Sequence, residues 1–342
     1  MSYSPRLNVD ALILPLSDVV IDTSLTYREV VRQTVQLYFE RAVGLASSTE
    51  SLLTSAEVTL LQKQANFTSY WDLTAALVMY FIGLLPPMPS PTFPLSTHVP
   101  ALLAYLQIAG ERLNTSIEVI REQKNIAQLA QDVAEAGGGL RAAVKILPRT
   151  NRHLLVMRGN LTEANLVARI FQELYLGADL FEETYDQQAI MIQSTGYIEY
   201  EKLLIDREVL TQLSQTVALA TISNRPQPEV ERSLAMQEIE PLFQSVISLD
   251  QVNRVKASPI PHPWSLLETV RRLNPTPWHC AYVGVNIGDI QAARKANEST
   301  KILAIGCLEG AHDQVEMERI FKENQADLIL GHPNDLKELI LG

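Results

Sequence analysis

The sequence is short of cysteine, glycine and positive charge, and each shortage closes off a class of function. Only Cys280 and Cys307 occur in 342 residues. Both stand in or beside apolar runs, with no CxxC and no Cys/His cluster, so neither a disulfide framework nor a zinc site organises the fold. Both read as reduced core thiols. Glycine numbers 15, and no GK[ST] sequence follows a strand, which removes the nucleotide-binding P-loop. Lys and Arg total 28 against 39 Asp and Glu, a formal charge of −11. Such a chain repels phosphate backbones and anionic lipid, so neither nucleic acid nor a membrane is an expected partner. The six histidines are scattered, with none at i, i+4 spacing, and offer no metal-ligand pattern. The N-terminal stretch has no uninterrupted apolar run behind a basic start. A secretory signal is therefore not expected, and the cytoplasm is the expected compartment.

At about 150 residues per domain the length allows roughly two domains. A composition of 46% hydrophobic and 20% charged residues belongs to a globular chain rather than a disordered one. The C-terminal third alternates short apolar runs with helical stretches, the pattern of a parallel sheet flanked by helices. Strands are expected at 217–223, 245–249, 279–285, 301–306 and 327–331, all near-continuously apolar, as strands buried on both faces are. Helices are expected at 226–236, 263–273, 288–298, 313–323 and 334–340. One more strand of this type, 11–16, stands nearly 200 residues ahead of the next. The interval between them reads as helix throughout. The expectation is an α/β, Rossmann-like core built from 1–23 and 203–342, with a large all-α insertion over 24–202. An insertion placed there would cap the strand carboxyl ends, where open α/β sheets bind ligands.

Within the insertion, the apolar run Leu73–Leu85 is too short for a bilayer and reads as a buried helix. Pro86, Pro87, Pro89, Pro91, Pro94 and Pro100 stiffen an uncharged loop, read as an ordered connection or as a docking segment for a partner. Gly137, Gly138 and Gly139 read as a helix break rather than an anion nest. Elsewhere, Trp71, Trp264 and Trp278 read as core packing, and Asp22 as the N-cap of the helix after it.

Residues 10–24, DALILPLSDVVIDTS, resemble the first motif of the haloacid dehalogenase-like (HAD) phosphohydrolases, a strand ending in DxDG(V/T). Segments 64–77, 168–186 and 196–214 resemble the subfamily with a helical cap after that motif, in particular a group seen in cyanobacteria and some archaea. In that family the first aspartate attacks phosphorus, the second works as acid and base, and a divalent ion holds the phosphoryl oxygens. Matched position by position, the nucleophile is Pro15, the acid/base is Ser17, and the glycine that follows is Asp18. The second motif looks preserved as Ser223 with Asn224 beside it, and the third-motif lysine as Lys256. The fourth, usually GDxxxD, reads Gly284-Val285-Asn286-Ile287-Gly288-Asp289, so Val285 replaces one metal aspartate and Asp289 remains.

The resemblance therefore implies a pseudoenzyme. It has lost nucleophile, acid/base and metal carboxylates, expects no cofactor, and acts by binding a protein partner or a phosphorylated ligand through Ser223, Asn224 and Lys256. The plain alternative for these residues is that Ser223 satisfies a strand-end backbone group and Lys256 solvates its ammonium. The functional alternative is an active phosphohydrolase with a non-standard constellation, Asp18 or Asp289 with Lys256. Mg²⁺ is expected only in that case.

Overall fold

The computed structural model describes residues 6–23, 25–67, 69–91, 98–158, 161, 164–311 and 313–342; Pro94 and His312 lie outside them. Two compact units emerge. One combines the stretch up to Thr23 with Glu201–Gly342, and the other runs from there up to Tyr200.

The first unit is an α/β core. Among the described residues its main sheet has six strands, β1 (Ala11–Pro15), β2 (Ala218–Ile222), β3 (Ser245–Ile247), β4 (Cys280–Gly284), β5 (Ile302–Cys307) and β6 (Leu328–Leu330). They pair in parallel in the order β6-β5-β4-β1-β2-β3. The first of these strands in the chain is thus central, both its neighbours arriving more than 200 residues later. Successive side chains of a strand point to opposite faces, and both faces here are covered. Leu12, Leu14, Leu219, Val283 and Ile305 pack with Val209, Leu213, Val230, Leu234 and Leu336 from helices on one side. Ile13, Ala220, Tyr282 and Ala304 pack with Leu266, Val270, Ile290, Ala293 and Phe321 on the other. Two-sided burial is why these strands lack polar alternation. Cys280 and Cys307 are both buried thiols within them, not joined in a disulfide.

Pro15 stands in this central strand, an uncommon place for a residue with no N–H. The Leu16 N–H donates to Ile222 O at 2.9 Å, so the nitrogen of the preceding residue faces β4. On that side the register ends at Ile13↔Tyr282 although β4 runs on to Gly284, as it must where the strand has no N–H to offer.

The inserted unit holds the helices Tyr27–Leu37, Ser55–Gln64, Tyr70–Leu84, Val99–Leu113, Ile117–Glu122, Ile126–Glu135, Gly139–Ile146 and Leu166–Tyr185. Helix throughout is not what it contains: Met157–Arg158 pairs antiparallel with Ala164–Asn165, and a π turn, Tyr38–Ala42, follows its first helix. The helix Tyr70–Leu84 buries Leu73, Leu77, Val78, Phe81 and Ile82, as a core helix should. Among the described residues no helix is long and apolar enough to cross a membrane. Gly137 and Gly138 donate back to Ala134 O and Val133 O, and Gly139 to Ala65 O. Their N–H groups are spent on breaking one helix and starting the next. The helix Leu166–Tyr185 bends at Gly177, with φ 78°. A Cβ there would meet Gly196 N at 2.3 Å, so two backbones touch where both residues are glycine.

Two readings are corrected. Asp22 is not an N-cap: it lies in an antiparallel ribbon, Ile21↔Leu203 and Asp22↔Lys202, and the helix it was to cap begins after Thr26. Trp278 is not in the core but 82% exposed. It follows two prolines in the loop before β4, where Asp10 Oδ2 accepts its N–H at 2.9 Å; the indole contributes nothing to that anchor.

Candidate functional site

Parallel pairing brings the carboxyl ends of β4, β1 and β2 side by side, and the residues just beyond them carry what chemistry the core has. Beyond β1 the chain turns at once. Ile21 N–H returns to Leu16 O at 2.8 Å, and Asp18 N–H donates to Ile21 O at 2.8 Å. Asp18 has φ 63°, a left-handed conformation that glycine takes freely and Asp or Asn tolerate best among the rest. The turn thus retains a glycine-like backbone without glycine. Its buried carboxylate accepts the Thr23 hydroxyl.

Ser17 is half-buried beside this turn, and the group that meets it escaped the sequence reading. Arg225 Nε donates to Ser17 Oγ at 3.0 Å. Its Nη1 donates to Glu201 Oε1 at 2.6 Å and to Ser233 Oγ at 3.1 Å. The Arg225 and Glu201 side chains are 3% and 1% exposed, so this is a buried ion pair at the strand ends. Arg225 also donates its backbone N–H to Ser223 Oγ at 3.1 Å, while Ser223 N–H donates to Ile247 O at 2.8 Å. Ser223 therefore holds the turn after β2, and its hydroxyl proton remains available to an acceptor. Asn224 is half-buried next to it. Lys256 is exposed, at φ 53° just past the helix Leu249–Arg254. Its ammonium is not hydrogen-bonded to Ser223 or Asn224.

After β4, Val285 is buried and Asn286 begins the helix Ile287–Asn297 with a reciprocal capping pair: Asn286 Oδ1 accepts Asp289 N–H at 3.1 Å, and Asp289 Oδ2 accepts Asn286 N–H at 3.2 Å. Asp289 Oδ2 also accepts Val285 N–H at 2.9 Å, and Oδ1 accepts the Tyr282 hydroxyl at 2.8 Å. Three donors thus converge on one carboxylate. Burial first, and then this carboxylate, push the Tyr282 phenol well above its ordinary 10.0, so it stays a donor. Gly284 permits the arrangement, since a Cβ there would lie 2.5 Å from Asp289 Cβ.

The donor set does not fit Mg²⁺, which takes carboxylate, carbonyl and water oxygens. Pro15 and Val285 offer no side-chain oxygen, Ser17 accepts from a cation, and both oxygens of Asp289 already accept protein donors. Among the described residues no group of three or more His, Cys, Asp or Glu is arranged to hold a metal ion.

Residues 178–303 match the family model described as haloacid dehalogenase-like hydrolase, the family that the motifs resemble. The phosphoglycolate phosphatases of Salmonella paratyphi A and Salmonella typhi are each 38% identical to the chain over 80 residues, 23% of this chain and 30% of theirs. The chain thus matches under a third of the length of these curated relatives. An X-ray structure of a Northeast Structural Genomics Consortium target aligns over 96% of this chain and 97% of its own, with a TM-score of 0.60 at 16% identity, a likeness of fold.

Proposed function

We propose, from the haloacid dehalogenase-like core that the family match covers in part, that this phosphatase-like protein has given up phosphoryl transfer and acts by binding. The occupant is a protein partner or a phosphorylated small molecule. A phosphate would be met by the Ser223 hydroxyl, Asn224 and Lys256 at the carboxyl end of β2 and beyond it, through charge-assisted hydrogen bonds that need no metal ion. A cytoplasmic setting belongs to the same reading.

One observation carries it. Asp289 keeps the only carboxylate of the four motif positions, and that carboxylate accepts the Tyr282 hydroxyl and two backbone N–H groups. Asp18, the other candidate, accepts Thr23 from a left-handed turn. Neither arrangement resembles a nucleophile beside an acid/base partner.

The test is direct. The full chain incubated with Mg²⁺ and an aryl phosphate is expected to give no turnover. Hydrolysis that Asp289→Asn or Asp18→Asn abolishes overturns the reading in favour of an active phosphohydrolase. Thermal shifts with inorganic phosphate and sugar phosphates, compared between wild type and Lys256→Ala, test ligand binding. A ligand of the native state raises the midpoint by mass action, and loss of the lysine should reduce that rise.

A further inference from the structure

The polar groups around the end of β1 share one property: each reaches a point where the chain leaves or re-enters the core. Thr23, the last core residue before the insertion, gives its hydroxyl to Asp18. Glu201, the first residue after it, gives its carboxylate to Arg225, whose guanidinium is also bonded to Ser17. Gln237 Nε2 holds the backbone oxygen of Glu201 at 2.9 Å. Between these anchors the outgoing and returning strands pair, Ile21 with Leu203 and Asp22 with Lys202, and Leu204 N–H donates to Val20 O at 2.9 Å.

We infer that Ser17, Asp18, Arg225 and Glu201 form a clasp that ties the two crossings of the chain to the end of β1 and to each other, with the buried Arg225–Glu201 pair as its pin. The inference stands apart from the proposed function and holds whether or not a ligand binds. A two-residue ribbon is too short to persist by its own hydrogen bonds; here it is fixed from both ends by buried polar contacts. The guanidinium is suited to the task because its planar fork can bond a hydroxyl and a carboxylate at once. Carboxylate and guanidinium offset each other's charge within the Arg225–Glu201 pair, so it can be buried where a lone charge could not. Closed, the clasp keeps both strands of the ribbon within the core unit. Open, it would release both together.

Arg225, Glu201 and Ser17 are positioning residues on this view, and their signature is an effect carried across segments far apart in sequence. Hydrogen exchange of the full chain reports it. Arg225→Gln and Glu201→Gln are each expected to speed exchange about tenfold or more in both 19–23 and 201–205, with β4 and β5 unchanged, as a local opening would. The double variant should be no faster than either single one, since both remove the same pair. Acceleration confined to the mutated segment, additive effects in the double variant, or uniform acceleration across the sheet each overturns the clasp. If the charge-removing variants fail to fold, Ser17→Ala decides: it strands no charge and leaves the ribbon backbone intact, and it must speed exchange at 201–205, to which the Ser17 hydroxyl is joined through Arg225. An unchanged rate there refutes the inference.

Discussion

The hydroxyl of Tyr282, inside β4, donates to Oδ1 of Asp289, one turn into the following helix, at 2.8 Å. A strand and the helix it feeds are thereby locked through an aspartate that the family resemblance would assign to a metal. Its carboxylate is part of the packing at this strand end, with consequences for stability.

Asp289→Asn replaces one acceptor oxygen by an NH₂ group facing a donor, and Tyr282→Phe leaves a buried carboxylate oxygen short of its hydroxyl. Each is expected to cost on the order of 1–3 kcal/mol, read as a lower urea midpoint at unchanged m-value. A neutral result for Asp289→Asn would mean that the carboxylate is not structural.

The fold should weaken in alkali. Burial, and then the charge of Asp10, push the Cys280 thiol from 9.0 up to about 12. Burial likewise raises Tyr38 and Tyr282 above 10.0. Between pH 9 and 12 the unfolded thiol ionises while the folded one does not, so unfolding releases a proton and stability falls as pH rises. Urea midpoints measured from pH 8 to 10.5 should decline, and Cys280→Ala should decline less steeply. Equal slopes would assign the effect to other groups.

Gly110, inside the helix Val99–Leu113, has no room for a methyl group: its Cβ would stand 1.8 Å from the carbonyl oxygen of Val43. Backbone cannot step aside as a side-chain tip can. Gly110→Ala should therefore destabilise the inserted unit by about 3 kcal/mol or more, measurable by calorimetry. Gly139→Ala, whose Cβ would come no nearer than 3.8 Å to Asn66 O but whose φ is 68°, should cost less.

Arg169 and Glu173 form a second buried pair, at 2.8 Å with 4% and 0% side-chain exposure. Glu173 Oε2 accepts the N–H groups of Ile190 and Met191, and Arg169 holds Gln187 and Gln188. Arg169→Ala leaves the carboxylate buried without its cation, at a cost of about 3–5 kcal/mol. Arg169→Met with Glu173→Leu should recover part of that, as a denaturation series would show. A double variant weaker than Arg169→Ala would contradict the assignment.

The sheet was legible because strands buried on both faces must be apolar along their whole length. All six stand within a few residues of the expected positions. The short helix Leu249–Arg254 was hidden, since six residues, only Leu249 and Val252 of them apolar, give no helical period and Leu249 completes an apolar run with β3. The bend at Gly177 was not legible, because the contact that accompanies it comes from Gly196, outside the helix. The motif positions could be placed by resemblance, but what surrounds them could not. Arg225 follows Ser223-Asn224 in a turn, where a basic residue ordinarily faces water, and its partner Glu201 belongs to the far side of the insertion. Only the folded core shows that this arginine is buried. Asp289 was legible as a surviving carboxylate, whereas its occupation by Tyr282 depends on a helix starting unusually close to Gly284.

The central place of β1 also orders events during synthesis. Ala11 pairs with Ala218 and with Cys280, so at roughly 5–20 residues per second the first strand leaves the ribosome about 10–40 s before its first neighbour exists. Throughout that wait Ala-Leu-Ile-Leu, every residue of which is fully buried in the end, has no sheet to join. The inserted unit, continuous in sequence, can complete itself meanwhile. Nascent chains halted before residue 218 should present this segment to holding chaperones, and those extended beyond 284 should not.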